Sequence, residues 1–106
     1  MTPEKKERLK ELNEIKNAGG YLWWRYGTDD NVEIIKLWVD PDCRRMGIAT
    51  TLIKELISMM KYSDIIFVYT KEDNEVANNF YKAIGFKKGG RLGDNILYWQ
   101  YYTKLL

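Results

Sequence analysis

Histidine is absent from the 106 residues, and Cys43 is the single cysteine. That excludes histidine-based triads, most zinc sites, cysteine metal sites and internal disulfides together. Acid–base work must therefore fall to glutamate, aspartate, tyrosine or lysine. Two short patterns hold the residues best placed for chemistry. The first is Arg44-x-x-Gly47-x-Ala49, with Arg45 beside Arg44. A glycine turn feeding a helix makes an anion site, because free N–H groups and the positive end of the dipole point at one place. Two arginines there add charge-assisted bonds suited to phosphate. Gly47 lets backbone come close to a ligand without a Cβ in the way. The second pattern is Asn74-x-x-Ala77-x-x-x-Tyr81-x-x-x-Gly85-Phe86, which sets an amide at a helix start and a phenol further along the same helix.

These residues need elements to position them. Residues 32–39, VEIIKLWV, are β-branched and apolar and predict a buried central strand. Asp40-Pro41-Asp42 stops it. Ile48, Leu52, Leu56 and Met60, with Ile53 and Ile57 beside them, give one apolar face of a helix over 47–61. Residues 65–69 are a short apolar run and predict a second buried strand. Strand, helix and strand then form a right-handed crossover unit. Val76, Phe80 and Ile84, with Ala77 and Tyr81, give a second helix ended by Gly85. Residues 21–26 predict a strand that pairs with 32–39 as a hairpin across the turn at 27–31. A last aromatic strand runs over 95–104, after a strand start at 86–88 and a loop at 89–94. At the beginning, Thr2-Pro3-Glu4 reads as a cap, and Leu9, Leu12 and Ile15 as one apolar stripe. A helix over 3–17, ended by Asn17 and Gly19-Gly20, is expected.

The length fits one domain, residues 1–106. Apolar content of 45% and charged content of 30% are ordinary for a soluble globular chain. No run spans a bilayer and no signal peptide is visible, so no membrane and a cytoplasmic setting are expected. A net charge of +2 is too small to argue for nucleic acid.

Both patterns, in this order and separated by a strand, resemble the signatures of the GNAT N-acetyltransferases. The first resembles that family's acyl-coenzyme A signature, (Gln/Arg)-x-x-Gly-x-(Gly/Ala). The resemblance covers about residues 20 to 104. It implies an α/β fold of the GNAT type, a mixed sheet flanked by helices. Family members usually carry a strand and two helices ahead of the first hairpin, forming one wall of the substrate groove. Only about twenty residues precede Tyr21 here, so a minimal member with a reduced N-terminal part is expected.

The resemblance also implies roles. The cosubstrate is acetyl-CoA, with no metal. Its pyrophosphate is expected on the N–H groups of Arg45, Met46, Gly47, Ile48, Ala49 and Thr50, with Arg44 and Arg45 adding charge. Leu37, Trp38 and Val39 offer backbone groups to the pantetheine arm and to the developing oxyanion. Asn74 bonds the pantetheine or caps the second helix. Tyr81 protonates the leaving thiolate. An acceptor lysine is only about 0.04% neutral at pH 7, a cost of roughly 4.6 kcal/mol, so a base is needed. Glu33 matches a position where some members place theirs; Asp73 and Glu72 follow it. The acceptor is a primary amine, with a protein lysine or amino terminus suited to an open groove. The aromatic last strand is compatible with a homodimer. A second reading keeps the fold without catalysis, as a module whose aromatic residues 21–24 and 98–102 meet a protein partner.

Overall fold

The computed structural model describes residues 11–27, 31–60 and 65–103. Six strands form one sheet: β1 (Asn13–Asn17), β2 (Gly20–Tyr26), β3 (Val32–Val39), β4 (Ile65–Lys71), β5 (Lys87–Leu92) and β6 (Ile96–Tyr102). Their order across the sheet is β1-β2-β3-β4-β6-β5. Only β3 and β4 are parallel, joined by helix α1 (Ile48–Met59); helix α2 (Glu75–Ala83) follows β4. The expected mixed α/β sheet is present.

Alternation along the strands sorts side chains to two faces. Leu22, Trp24, Val32, Ile34, Ile66, Val68, Leu97 and Trp99 are buried and share one core with Leu52, Ile53 and Leu56 of α1 and with Tyr81 and Phe86. Both helices therefore cover the same face. Burying each large aliphatic of α1 contributes about 1.5–3 kcal/mol, which is what holds the helix down on the sheet. Ile48, Ile57 and Met60 pack at the margin of that core, as the four-residue spacing predicts.

Residues 3–10 of the expected first helix lie outside the described residues. Residues 13–17 are not helical but form β1, in register with β2 through Ile15 and Leu22. The stripe of Leu12 and Ile15 is broken: Ile15 is buried while Leu12 is 54% exposed. The glycines after it do not end a helix. Asn17 pairs with Gly20 across Ala18-Gly19, a two-residue hairpin turn, and Asn17 Oδ1 accepts from the Gly19 N–H at 2.9 Å. Gly20 is required by close approach, since a Cβ there would stand 2.4 Å from the Trp38 carbonyl oxygen.

The expected loop at 89–94 is also shorter. β5 runs through Gly89 and Gly90 to Leu92, with an irregular register between Lys88 and Gly90. Tyr98 lies over Gly89, where a Cβ would meet its ring at 2.4 Å.

Candidate active site

The site starts from a break in the sheet. β2 residues Trp23 and Trp24 pair with Lys36 and Ile34, so Ile35 is an extra residue on β3, a β-bulge. β3 pairs with β4 only from Val32 to Ile34. Beyond the bulge Leu37, Trp38 and Val39 have no β4 partner in that register, and they line a cleft of about 890 Å³. The strand expected to be buried throughout is thus buried only at its start, and Ile35, Lys36 and Trp38 are exposed.

The second wall is the turn before α1. Asp40 caps a short 3-10 turn (Pro41–Cys43), its carboxylate accepting from the Asp42 N–H at 3.1 Å. Arg45 and Gly47 then take positive φ, 68° and 76°. Such backbone is costly for a residue with a Cβ, and Arg45 holds it without glycine's freedom. A Cβ at Gly47 would meet nothing within 4 Å, so glycine serves the backbone angle here more than space. The first helical bond runs from the Thr51 N–H to the Gly47 carbonyl at 3.0 Å. The N–H groups of Ile48, Ala49 and Thr50 precede that ladder, with no side-chain cap and no acid in the first turn. Arg44, Arg45, Gly47, Ile48, Ala49 and Thr50 all line the cleft.

The third wall is α2. Asn74, Val76, Ala77, Phe80 and Tyr81 face the cleft. Asn74 Oδ1 accepts from the Ala77 N–H at 3.1 Å as the helix cap, which leaves its amide nitrogen to donate into the cleft. Val76, expected in the core, is 83% exposed and forms part of the cleft wall. Tyr81 is buried, with Phe80 and Phe86 edge-on at 5.2 Å each. Burial raises its phenol well above the ordinary tyrosine value, so it holds its proton throughout the neutral range.

Asn78 fixes where α2 sits, and its only local signal is that of a polar residue within a helix. Its Oδ1 accepts from Thr70 Oγ1 at 2.5 Å and from Trp99 Nε1 at 3.2 Å. Its Nδ2 donates to the carbonyls of Lys71 and Glu72 at 3.2 and 3.1 Å. One amide thereby ties α2 to β4 and β6, one turn before Tyr81. Cys43, Val76, Ala77 and Phe80 also line the cleft, a role that helical spacing and loop position do not mark.

Two expected site residues stand elsewhere. Met46 is 70% exposed and is not part of the cleft wall. Glu33 lies at the start of β3, on the face away from the helices. Its Oε1 accepts from Arg25 Nε at 3.1 Å and Nη2 at 3.0 Å, directly across the strand pair. Glu72 is paired with Arg91, and Asp73 is exposed in the loop before α2. The cleft therefore brings together a turn with two arginines and uncapped helix N–H groups, a free strand edge and a buried phenol, but no carboxylate among the described lining residues.

Residues 13–86 match the model of the Acetyltransferase (GNAT) family. The chain belongs to the GNAT family. Over 55 residues it is 38% identical to the peptidyl-lysine N-acetyltransferase YjaB of Escherichia coli (strain K12), a match covering 52% of the chain and 35% of YjaB. In fold it is similar to an acetyltransferase from Thermus thermophilus, with a TM-score of 0.78 at 14% identity, over 93% of the chain and 69% of that protein. It is also similar to the PaiA N-acetyltransferase of Thermoplasma acidophilum in complex with coenzyme A, with a TM-score of 0.72 at 22% identity, over 79% of the chain and 53% of PaiA. The chain thus spans about a third of the curated relative, and these solved structures show a shared GNAT fold.

Proposed function

We propose that this GNAT chain is an acetyl-CoA-dependent N-acetyltransferase that passes the acetyl group to a primary amine by direct attack in a ternary complex. The observation that carries this is the cleft, where the α1 N-terminus, the unpaired edge of β3 and the Tyr81 phenol converge. The donor set fits the cosubstrate. The N–H groups of Ile48, Ala49 and Thr50, with Arg44 and Arg45, take the pyrophosphate. Residues 37–39 offer N–H and C=O groups to the amide-bearing arm and an N–H to the oxyanion. The amine nitrogen forms a bond to the acetyl carbon, the carbon–sulfur bond breaks, and Tyr81 gives its proton to the thiolate. Glu33 is the base in this reading, through intervening water, because its carboxylate stands outside the cleft wall. YjaB, a peptidyl-lysine N-acetyltransferase, supports a protein lysine as one acceptor. A cytoplasmic setting belongs to the same proposal; among the described residues no helix is long and apolar enough to cross a membrane.

Calorimetric titration with acetyl-CoA, coenzyme A and a dephospho analogue tests it. Micromolar binding is expected, abolished in Gly47→Glu, which sets a carboxylate and a Cβ at a positive-φ position beside the anion site. Wild-type protein that binds none of the three removes the transferase reading. The second reading, a binding module, rests on residues 21–24 and 98–102; of these Tyr102 is exposed, Tyr21, Trp23, Tyr98 and Tyr101 are half-buried, and Leu22, Trp24 and Trp99 are core.

A further inference from the structure

The sheet face opposite the helices carries a column of three rings. Tyr21 stacks on Trp23 at 4.9 Å and on Trp38 at 5.7 Å, with interplanar angles of 29° and 21°. Glu14 anchors one end, accepting from Trp23 Nε1 at 2.7 Å. The other end, Trp38, is 38% exposed and forms part of the cleft wall. Leu37 and Val39 of that wall alternate with Trp38 and turn to the helix-bearing face, so Trp38 stands on the opposite face at the edge of the gap beside β3.

The column already holds one lysine side chain. Lys36 Nζ lies 5.5 Å from the Trp23 ring and 5.7 Å from the Tyr21 ring. Aromatic faces attract an ammonium, and a four-carbon stem packs along them. Among the described residues the charges on this face are mostly basic. Lys16 pairs with Tyr21 and Lys36 with Trp23, and Lys71 lies two residues beyond Tyr69. Glu14 is held by Trp23, and Glu33 is held by Arg25. A bare polycationic acceptor would be repelled here, whereas acidic groups beside the acceptor amine would be attracted.

We propose that Trp38, held by the Tyr21–Trp23 column, docks the acceptor on the sheet face opposite α1 and α2, and that the acceptor is a lysine side chain set among acidic residues of a peptide. This rests on the N-acetyltransferase reading. It assigns the lysine stem to the exposed Trp38 ring, its nitrogen to the gap beside β3, and the flanking carboxylates to Lys16 and Lys36.

The test uses three peptides of equal length whose single lysine is flanked by glutamate, alanine or arginine. Initial rates are read by thiol release, and binding of dye-labelled peptides by fluorescence anisotropy without cosubstrate. The glutamate-flanked peptide is expected to exceed the alanine-flanked one in kcat/KM by on the order of tenfold, mostly through KM, with the gap closing at high salt. Trp38→Leu should raise KM by about tenfold, and Trp38→Phe should keep most of the affinity. Lys36→Glu should reverse the preference between acidic and basic flanks. Peptides that bind and react alike whatever their flanks would overturn the proposal, as would a Trp38→Leu effect confined to kcat or an aminosugar preferred to every peptide. The two readings fail separately. Flank-ordered anisotropy in a protein that binds no acetyl-CoA would sink the transferase and keep the docking surface. Acetyl-CoA binding with flank-blind peptides would do the opposite.

Discussion

The surroundings of Tyr81 fit the role of proton donor proposed for it. It is 5% exposed, its ring is packed by Phe80 and Phe86, and it still reaches the cleft. A phenol there keeps its proton because the phenolate is poorly solvated. Tyr81→Phe preserves the packing and removes the proton, so kcat should fall about 10²-fold or more while acetyl-CoA binding stays intact. The same residue predicts a pH effect on stability. Its raised value means that the folded state holds the proton more tightly than the unfolded chain. Stability from this group is full below the ordinary tyrosine value of about 10 and is lost as pH rises beyond it. Urea titrations of wild type and Tyr81→Phe should therefore run parallel to about pH 9 and diverge above, with the variant losing less. Glu33 poses a different question, since Arg25 already engages its carboxylate. Glu33→Gln should lower kcat about 10²-fold, read by thiol release, with acetyl-CoA binding intact. An unchanged kcat would move the base to a water or to another group.

At the scale of elements, the site depends on α2 staying fixed against β4 and β6. Asn78 makes four side-chain bonds to do this, two of them to backbone carbonyls. Asn78→Leu takes the donor from the Lys71 and Glu72 carbonyls and the acceptor from Thr70 Oγ1, while Trp99 Nε1 keeps its bond to Thr70 Oγ1. A loss of about 2–3 kcal/mol in urea unfolding is expected, with a rise in KM for acetyl-CoA as Asn74 and Tyr81 shift. Nothing in the spacing of Asn78 marks this, because its partners come from separate elements that only the fold assembles. The glycine turn and α1 are legible, since Gly47 and the Leu52–Leu56 spacing are local signals. So is the cap at Asn74. The error at residues 13–17 is also instructive. Leu12 and Ile15 are three apart, which suits a helix, but the alternation of Asn13, Ile15 and Asn17 suits a strand equally. Pairing with β2 decides between them, and Asn17–Gly20 is a hairpin turn in that context. The bulge at Ile35 is invisible for a related reason. A strand of eight apolar and charged residues does not announce where one of them loses its partner, yet that break makes the cleft.

Among the described residues the helices lie on one face of the sheet and a column of stacked aromatic rings on the other, and over the full sequence the charges nearly cancel. β6 lies between β4 and β5, so its backbone is already paired on both sides. A homodimer using this strand would have to meet through side chains such as Tyr98 and Tyr102, not by strand addition. The near-neutral balance also bears on how the cosubstrate is held. With a net charge of +2, the long-range field of the protein is weak, so in the proposed reading attraction for a polyanion comes from Arg44, Arg45 and the end of α1. Both arginines are exposed, so salt should screen them. Raising ionic strength from about 0.05 to 0.5 M should weaken coenzyme A binding several-fold, and the dephospho analogue less, because it carries fewer charges. The helix N–H groups are fixed hydrogen-bond donors at short range and should be far less sensitive. A double Arg44→Ala, Arg45→Ala variant should thus bind more weakly at low salt and show a flatter salt dependence, converging on wild type as salt rises. Calorimetry across the salt series separates the two contributions. If the variant kept the full salt slope, the phosphates would be held by other cations, and the turn before α1 would lose its assigned role.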